Sequence, residues 1–166
     1  MTTGAPRPLR SHHSDNVRGV MTPENPTATE ARTPTETFHA LIRGVSAGPR
    51  SELADLYADV CDVVHPFHPA RAPALRSREE LRAHFALPAG APKIERTPVD
   101  VRVHETADPE VVVGEFAYDC LLVNTGVRYR VPCVFIMRVR DGLIVESRDY
   151  IDHVAHVRAS ASAERA

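Results

Sequence analysis

Three runs joined by two short turns decide the fold: Val111–Val123 (VVVGEFAYDCLLV), then Asn124-Thr125-Gly126, Val127–Arg140 (VRYRVPCVFIMRVR), then Asp141-Gly142, and Leu143–Asp152 (LIVESRDYID). The runs are rich in Val, Ile, Tyr and Phe, which suit a pleated, half-buried surface, and the links are turn sequences. Links this short make neighbouring strands antiparallel. Ile94–Glu105 adds another strand upstream, set off by Ala107-Asp108-Pro109.

Before Pro92 the pattern is helical. Between Thr35 and Ala47, apolar Phe38, Leu41, Ile42 and Val45 recur at three- and four-residue steps, the face of an amphipathic helix that Gly48-Pro49 ends. A second short helix is expected with Ser51 as N-cap and Leu53, Leu56 and Tyr57 facing inward. Val60–Val64 reads as a short strand that Pro66 and Pro69 prevent from continuing. Ser77 followed by Glu80 predicts a capping box for a third helix carrying Leu81, His84 and Phe85, closed by Pro88-Ala89-Gly90. Helices first and strands afterwards predict an α+β fold: a cone-shaped α+β barrel, with three N-terminal helices packed on a curved, mostly antiparallel sheet around an internal pocket.

A chain of 166 residues, 43% hydrophobic and 25% charged, is sized for one globular domain. Residues 1–33, rich in Pro, Thr, Ser and Arg without periodicity, read as a disordered leader, 34–156 as the domain and 157–166 as a tail. A formal charge of −2 and the lack of a basic stripe argue against a nucleic-acid partner. Cys61, Cys120 and Cys133 match neither a disulfide framework nor a zinc pattern and read as core residues. No apolar run approaches a membrane span or a secretory signal, so a cytoplasmic protein with no membrane partner is expected. His12-His13 lacks a third ligand nearby, no His pair has zinc spacing, and no Gly-rich phosphate loop follows a strand, so neither metal nor cofactor is expected.

The chemistry-bearing residue is an acid in the last strand. Alternation puts Ser147, Asp149 and Ile151 on one face and Glu146, Arg148, Tyr150 and Asp152 on the other. A carboxyl in an apolar pocket has its charged form disfavoured, which brings it into range for proton transfer near neutrality. His65 emerges from the Val63-Val64 run and precedes Pro66, which holds it extended. Glu115 and Asp119 share one face of their strand and Phe116 and Tyr118 the other; either Tyr118 or Glu115 enters the cavity, according to which face lines it.

Leu56-Tyr57-Ala58-Asp59 leading into Val63-Val64-His65-Pro66, the Arg78-Glu79-Glu80-Leu81-Arg82 helix start, Glu115-Phe116 and Arg148-Asp149-Tyr150-Ile151-Asp152 together resemble the SnoaL-like polyketide cyclases. That family shares a superfamily with ketosteroid isomerase, limonene epoxide hydrolase and nuclear transport factor 2, and the resemblance covers roughly residues 35–154. It places His65 where ketosteroid isomerases carry their proton-shuttling aspartate. Their oxyanion tyrosine and protonated aspartic acid fall on Leu41 and near Phe135, so steroid isomerisation by that route is not implied. Asp149 matches the last-strand aspartate of limonene epoxide hydrolases, whereas their bridging arginine and second acid fall on the strand that holds Glu115 and Ala117.

The resemblance implies a cofactor-free acid/base enzyme, a cyclase or isomerase of secondary metabolism acting on a small, apolar, oxygenated metabolite. Asp149 and His65 are the expected catalytic residues. Tyr118, Glu115, Phe67, His68, Phe116 and Phe135 are the expected substrate contacts. Two alternatives are an epoxide hydrolase or epoxide-opening cyclase, and a non-catalytic ligand-binding or dimerisation module. A homodimer is the expected assembly.

Overall fold

The computed structural model describes residues 31–48, 50–86 and 90–163, together with Met1. Most of the leader, with its His12-His13 pair, lies outside the described residues, as do Pro49, 87–89 and the last three positions of the tail.

Helix α1 spans Pro34–Ser46. Thr33 and Glu36 form a reciprocal capping box ahead of it, with Pro34 supplying a backbone already set for the first turn. Its apolar stripe buries Phe38, Leu41 and Ile42 against the sheet, and Val45 packs on the same core. The second expected helix is a 3-10 turn, Ser51–Leu56, and Tyr57 belongs to the strand that follows; Ser51 is the first residue of the turn and not its cap, since Arg50 holds the N-cap position without a side-chain hydrogen bond. That strand, β1, runs Tyr57–Val64, three residues longer at its start than the alternation predicted. A short strand absent from the sequence reading, β2 (Leu75–Ser77), leads directly into helix α2 (Arg78–Phe85). Ser77 caps α2 by accepting from the Glu80 N–H at 3.2 Å. The return bond of the predicted box goes one residue upstream, from the Arg76 N–H to the Glu80 carboxylate.

Strands β3 (Ile94–Glu105), β4 (Val111–Leu122), β5 (Val127–Arg140) and β6 (Leu143–Ile151) fall within a residue of their predicted bounds. They join the first two in one six-stranded sheet of order β2-β1-β6-β5-β4-β3. All pairings are antiparallel except β1 with β6, where the first long strand lies parallel beside the last. The sheet curves but does not close: β2 and β3 remain its edges, so the predicted barrel is an open, cone-like sheet with helices on its inner face. The inner face carries Val112, Phe116 and Tyr118 of β4 and Val131, Cys133, Phe135 and Met137 of β5. Phe116 stands edge-to-face to Phe38, Tyr118 and Phe135 at 5.7, 5.1 and 5.0 Å.

The chain end departs most from expectation. A third helix, α3 (His153–Ala163), runs through the boundary drawn between domain and tail, packs on β5 and buries Ala159. Asp152 accepts from the Ala155 N–H at 3.1 Å at its start. No helix among the described residues is long and apolar enough to cross a membrane.

Candidate active site

Between α1, α2, the 3-10 turn, the inner face of the sheet and α3 lies a cavity of about 260 Å³. Leu41, Leu53, Leu81, Phe85, Val131 and Phe135 make much of its wall apolar. Against that wall stand a few polar groups, and Asp149 is the only carboxylate among the described lining residues.

A β-bulge in β6 aims Asp149 inward. Arg138 pairs with Glu146, but Val139 pairs with Ile144, so Val145 is one residue too many. The extra residue shifts the phase of alternation. Ile144, Ser147 and Asp149 consequently share the buried face, at 0%, 0% and 5% exposure, while Glu146 faces solvent. Ser147 Oγ donates a short hydrogen bond to Asp149 Oδ1. Burial raises the Asp149 carboxyl from its ordinary 3.8 to about 7, and the Ser147 bond, which favours the charged form, opposes that rise.

His65 follows the last residue of β1. Val64 pairs with Arg148 in the parallel ladder, which brings His65 beside Asp149. Nε2 of His65 lies 3.7 Å from Oδ2 of Asp149. That spacing would suit an ion pair, but burial, reinforced by His84, His153 and His68, lowers the His65 ring to about 4, so near neutrality the imidazole carries no charge. The gap is also longer than a hydrogen bond, and it leaves Oδ2 and Nε2 converging on a point that a substrate atom or water can occupy. His84 and His153 surround His65 with ring centroids at 5.6 and 6.5 Å, and burial disfavours the cationic form of both. His153 also lines the cavity, and its Nε2 is buried with no hydrogen-bond partner among the described residues.

The expected substrate contacts divide. Tyr118 and Phe135 line the cavity, because β4 and β5 turn those residues inward. The Tyr118 hydroxyl already donates to the Ile42 carbonyl at 3.3 Å. Phe116 sits one layer deeper in the aromatic core and does not line the wall. Glu115 is on the opposite face, half exposed, with the His104 ring 3.8 Å away, so the inward residue of β4 is Tyr118 and not the acid. Phe67 is 67% exposed and packs on Tyr150 outside the cavity, where the proline-bounded loop leaves it. His68 also stays outside the lining, its ring 4.8 Å from that of His153.

Sequence reasoning left out several lining residues. Tyr57, expected to face inward from a helix, instead opens β1, is 1% exposed and lines the cavity near Asp149. Burial and then the Asp149 charge push its phenol well above the ordinary range, so it stays protonated. Arg96 of β3 and His156 of α3 also line the wall. Arg96 stands two residues from Ile94 and so shares its face of β3, a signal that strand alternation offered; nothing signalled α3. Cys133 lines the wall as well, and burial raises its thiol to about 12, which makes it an inert apolar surface. Among the described residues no three His, Cys, Asp or Glu side chains are grouped to hold a metal ion.

An open curved sheet with helices over a polar-tipped apolar hollow is the nuclear transport factor 2-like, ketosteroid isomerase-like fold. Within it, the chain belongs to the family described as the SnoaL-like domain, which matches residues 38–147. An uncharacterized PhzA/B-like protein of Pseudomonas aeruginosa is 30% identical over 114 residues, covering 64% of this chain and 79% of that protein. A candidate isomerase from Bacillus subtilis has the same fold at 20% identity and TM-score 0.64, over 78% of this chain and 96% of its own. A candidate polyketide cyclase from Pseudomonas putida superposes with TM-score 0.61 at 15% identity, over 78% of this chain and 98% of its own.

Proposed function

We propose that this protein is a cofactor-independent acid/base catalyst of the cyclase or isomerase type, acting on a small, mostly apolar, oxygenated metabolite. The observation that carries this reading is the convergence of Asp149 Oδ2 and His65 Nε2, 3.7 Å apart, on an apolar cavity. Oδ1 is occupied by Ser147, so Oδ2 is the oxygen free to react. As a carboxylate, Asp149 removes a proton from the carbon next to a substrate carbonyl. The Tyr57 hydroxyl donates to the enolate oxygen that forms, and the neutral His65 ring orients the carboxylate or the substrate. The enolate carbon then attacks a second carbonyl of the same molecule, closing a ring whose new alkoxide takes the proton back from the Asp149 carboxylic acid, or, where the enolate is conjugated with a carbon–carbon double bond, the acid returns the proton to the far carbon of the dienolate and the double bond moves. No redox equivalent enters or leaves.

Epoxide hydrolysis is less well supported. It asks for a second acid beside Asp149, and Glu115 faces the other way. Deuterium exchange from D2O into 2-tetralone and related bicyclic ketones, followed by NMR, tests the proposal without knowledge of the natural substrate. The native protein should accelerate exchange, and Asp149→Asn should lower that rate by about 10²–10⁴ while remaining fully folded. A folded Asn variant with undiminished exchange would sink the assignment. If the protein binds such ketones but exchanges nothing, and the substitution alters only affinity, the domain is a ligand-binding module.

A further inference from the structure

We infer that the cavity takes a substrate bearing an anionic oxygen group, a carboxylate above all, which Arg96 holds at the end opposite Asp149. The inference rests on the acid/base reading above for which end reacts, and on separate observations for which end binds charge.

Arg96 lies on edge strand β3, paired with Cys120 of β4, which in turn pairs with Tyr129 of β5. These positions share the inner face, so the Arg96 side chain projects over the cavity and is half-buried there. The ion pairs among the described residues engage Arg76, Arg78, Arg82, Arg130, Arg138, Arg140 and Arg148, and Arg96 takes part in none of them. Asp149, the only lining carboxylate described, sits opposite Phe135, six residues along β5 from Tyr129. At about 3.4 Å per residue that offsets the two positions by roughly 20 Å along the strand direction before the side chains reach inward. Beside Arg96, His156 shares a 3.0 Å hydrogen bond with the Tyr129 hydroxyl, and burial, helped by the Arg96 charge, keeps that imidazole neutral.

A guanidinium holds its charge throughout the physiological range and presents parallel N–H donors that match a carboxylate bidentately. Half-buried against an apolar wall without an acid partner among the described residues, it is poorly compensated until an anion arrives. The spacing of the two poles sets the rest of the substrate class. The molecule is a mostly apolar carboxylic acid whose reactive carbonyl lies at the end remote from the acid, not on the neighbouring atom.

Isothermal titration of the full chain with 2-naphthoate and its neutral isostere 2-naphthamide tests this. The native protein should bind the carboxylate at least tenfold tighter than the amide. Arg96→Gln should erase that preference by weakening only the carboxylate, and Arg96→Lys should keep part of it. Equal affinity for the two probes, no binding of either, or an Arg96→Gln protein that melts normally and keeps the preference would each overturn the inference. Asp149→Asn separates the two ideas, because it should abolish ketone exchange and leave the naphthoate preference intact. If exchange survives that substitution while the Arg96-dependent preference holds, the acid/base reading falls and the anion site stands.

Discussion

At the scale of single residues, the site is a contest between burial and hydrogen bonding at one carboxyl. Burial moves Asp149 to about 7, and the Ser147 hydroxyl holds it from going higher. Ser147→Ala removes the group that favours the charged form, so the apparent pKa of Asp149 should rise by about one pH unit. If Asp149 acts as a base, ketone exchange rises with pH through a midpoint near 7 in the native protein, and that midpoint should move upward in Ser147→Ala. An unmoved midpoint would mean that the hydroxyl has no part in setting the proton affinity. His65 is already neutral above about pH 4 and should add no second limb near neutrality. Asp149 was legible as a candidate because an acid stands out in an apolar strand. Tyr57 was not, because a tyrosine after a short helix pattern looks the same whether it closes the helix or opens a strand.

At the scale of elements, α1 can lie on the sheet because β4 leaves a gap for it. A methyl group added at Gly114 would collide with the Phe38 ring, and Phe38 is fully buried. Gly114→Ala would otherwise gain about 0.4–1 kcal/mol from a stiffer unfolded chain. Overpacking costs about 1–3 kcal/mol, so the net effect should be destabilising, with a lower denaturant midpoint. A midpoint at or above the native value would show that Phe38 gives way without loss. The bulge at Val145 is the other decisive local feature, since it alone puts Ser147 and Asp149 on the face that already holds Ile144. Alternation read from Ser147 onward finds the right partners for Asp149 but cannot say which face is inside. That is decided by where an extra residue is inserted relative to β5, a property of pairing and not of composition.

At the scale of the molecule, the cavity ties stability to pH in two opposed ways. Asp149 binds its proton more tightly folded than unfolded, so its contribution falls as pH rises from about 3.8 to about 7. His65 is the reverse: its folded pKa is depressed, so stability is lost as pH drops from about 6.5 to about 4. Asp149→Asn should therefore stabilise the protein by roughly 2–4 kcal/mol at pH 8, read as a higher melting temperature, with the gain vanishing near pH 4. A gain of equal size at both pH values would mean that the charge of Asp149 is not its cause. The α+β class, the four long strands, the apolar stripe of α1 and the Ser77 cap of α2 follow from the sequence by itself, because periodicity, turn residues and caps act within a few positions along the chain, whereas His65 gained its weight as a candidate from the family resemblance. The parallel pairing of β1 with β6, the open sheet, the outward turn of Glu115 and the closure of the pocket by α3 were decided only by tertiary structure. Each depends on contacts between residues far apart in sequence, where the burial of a whole face outweighs what any one segment prefers.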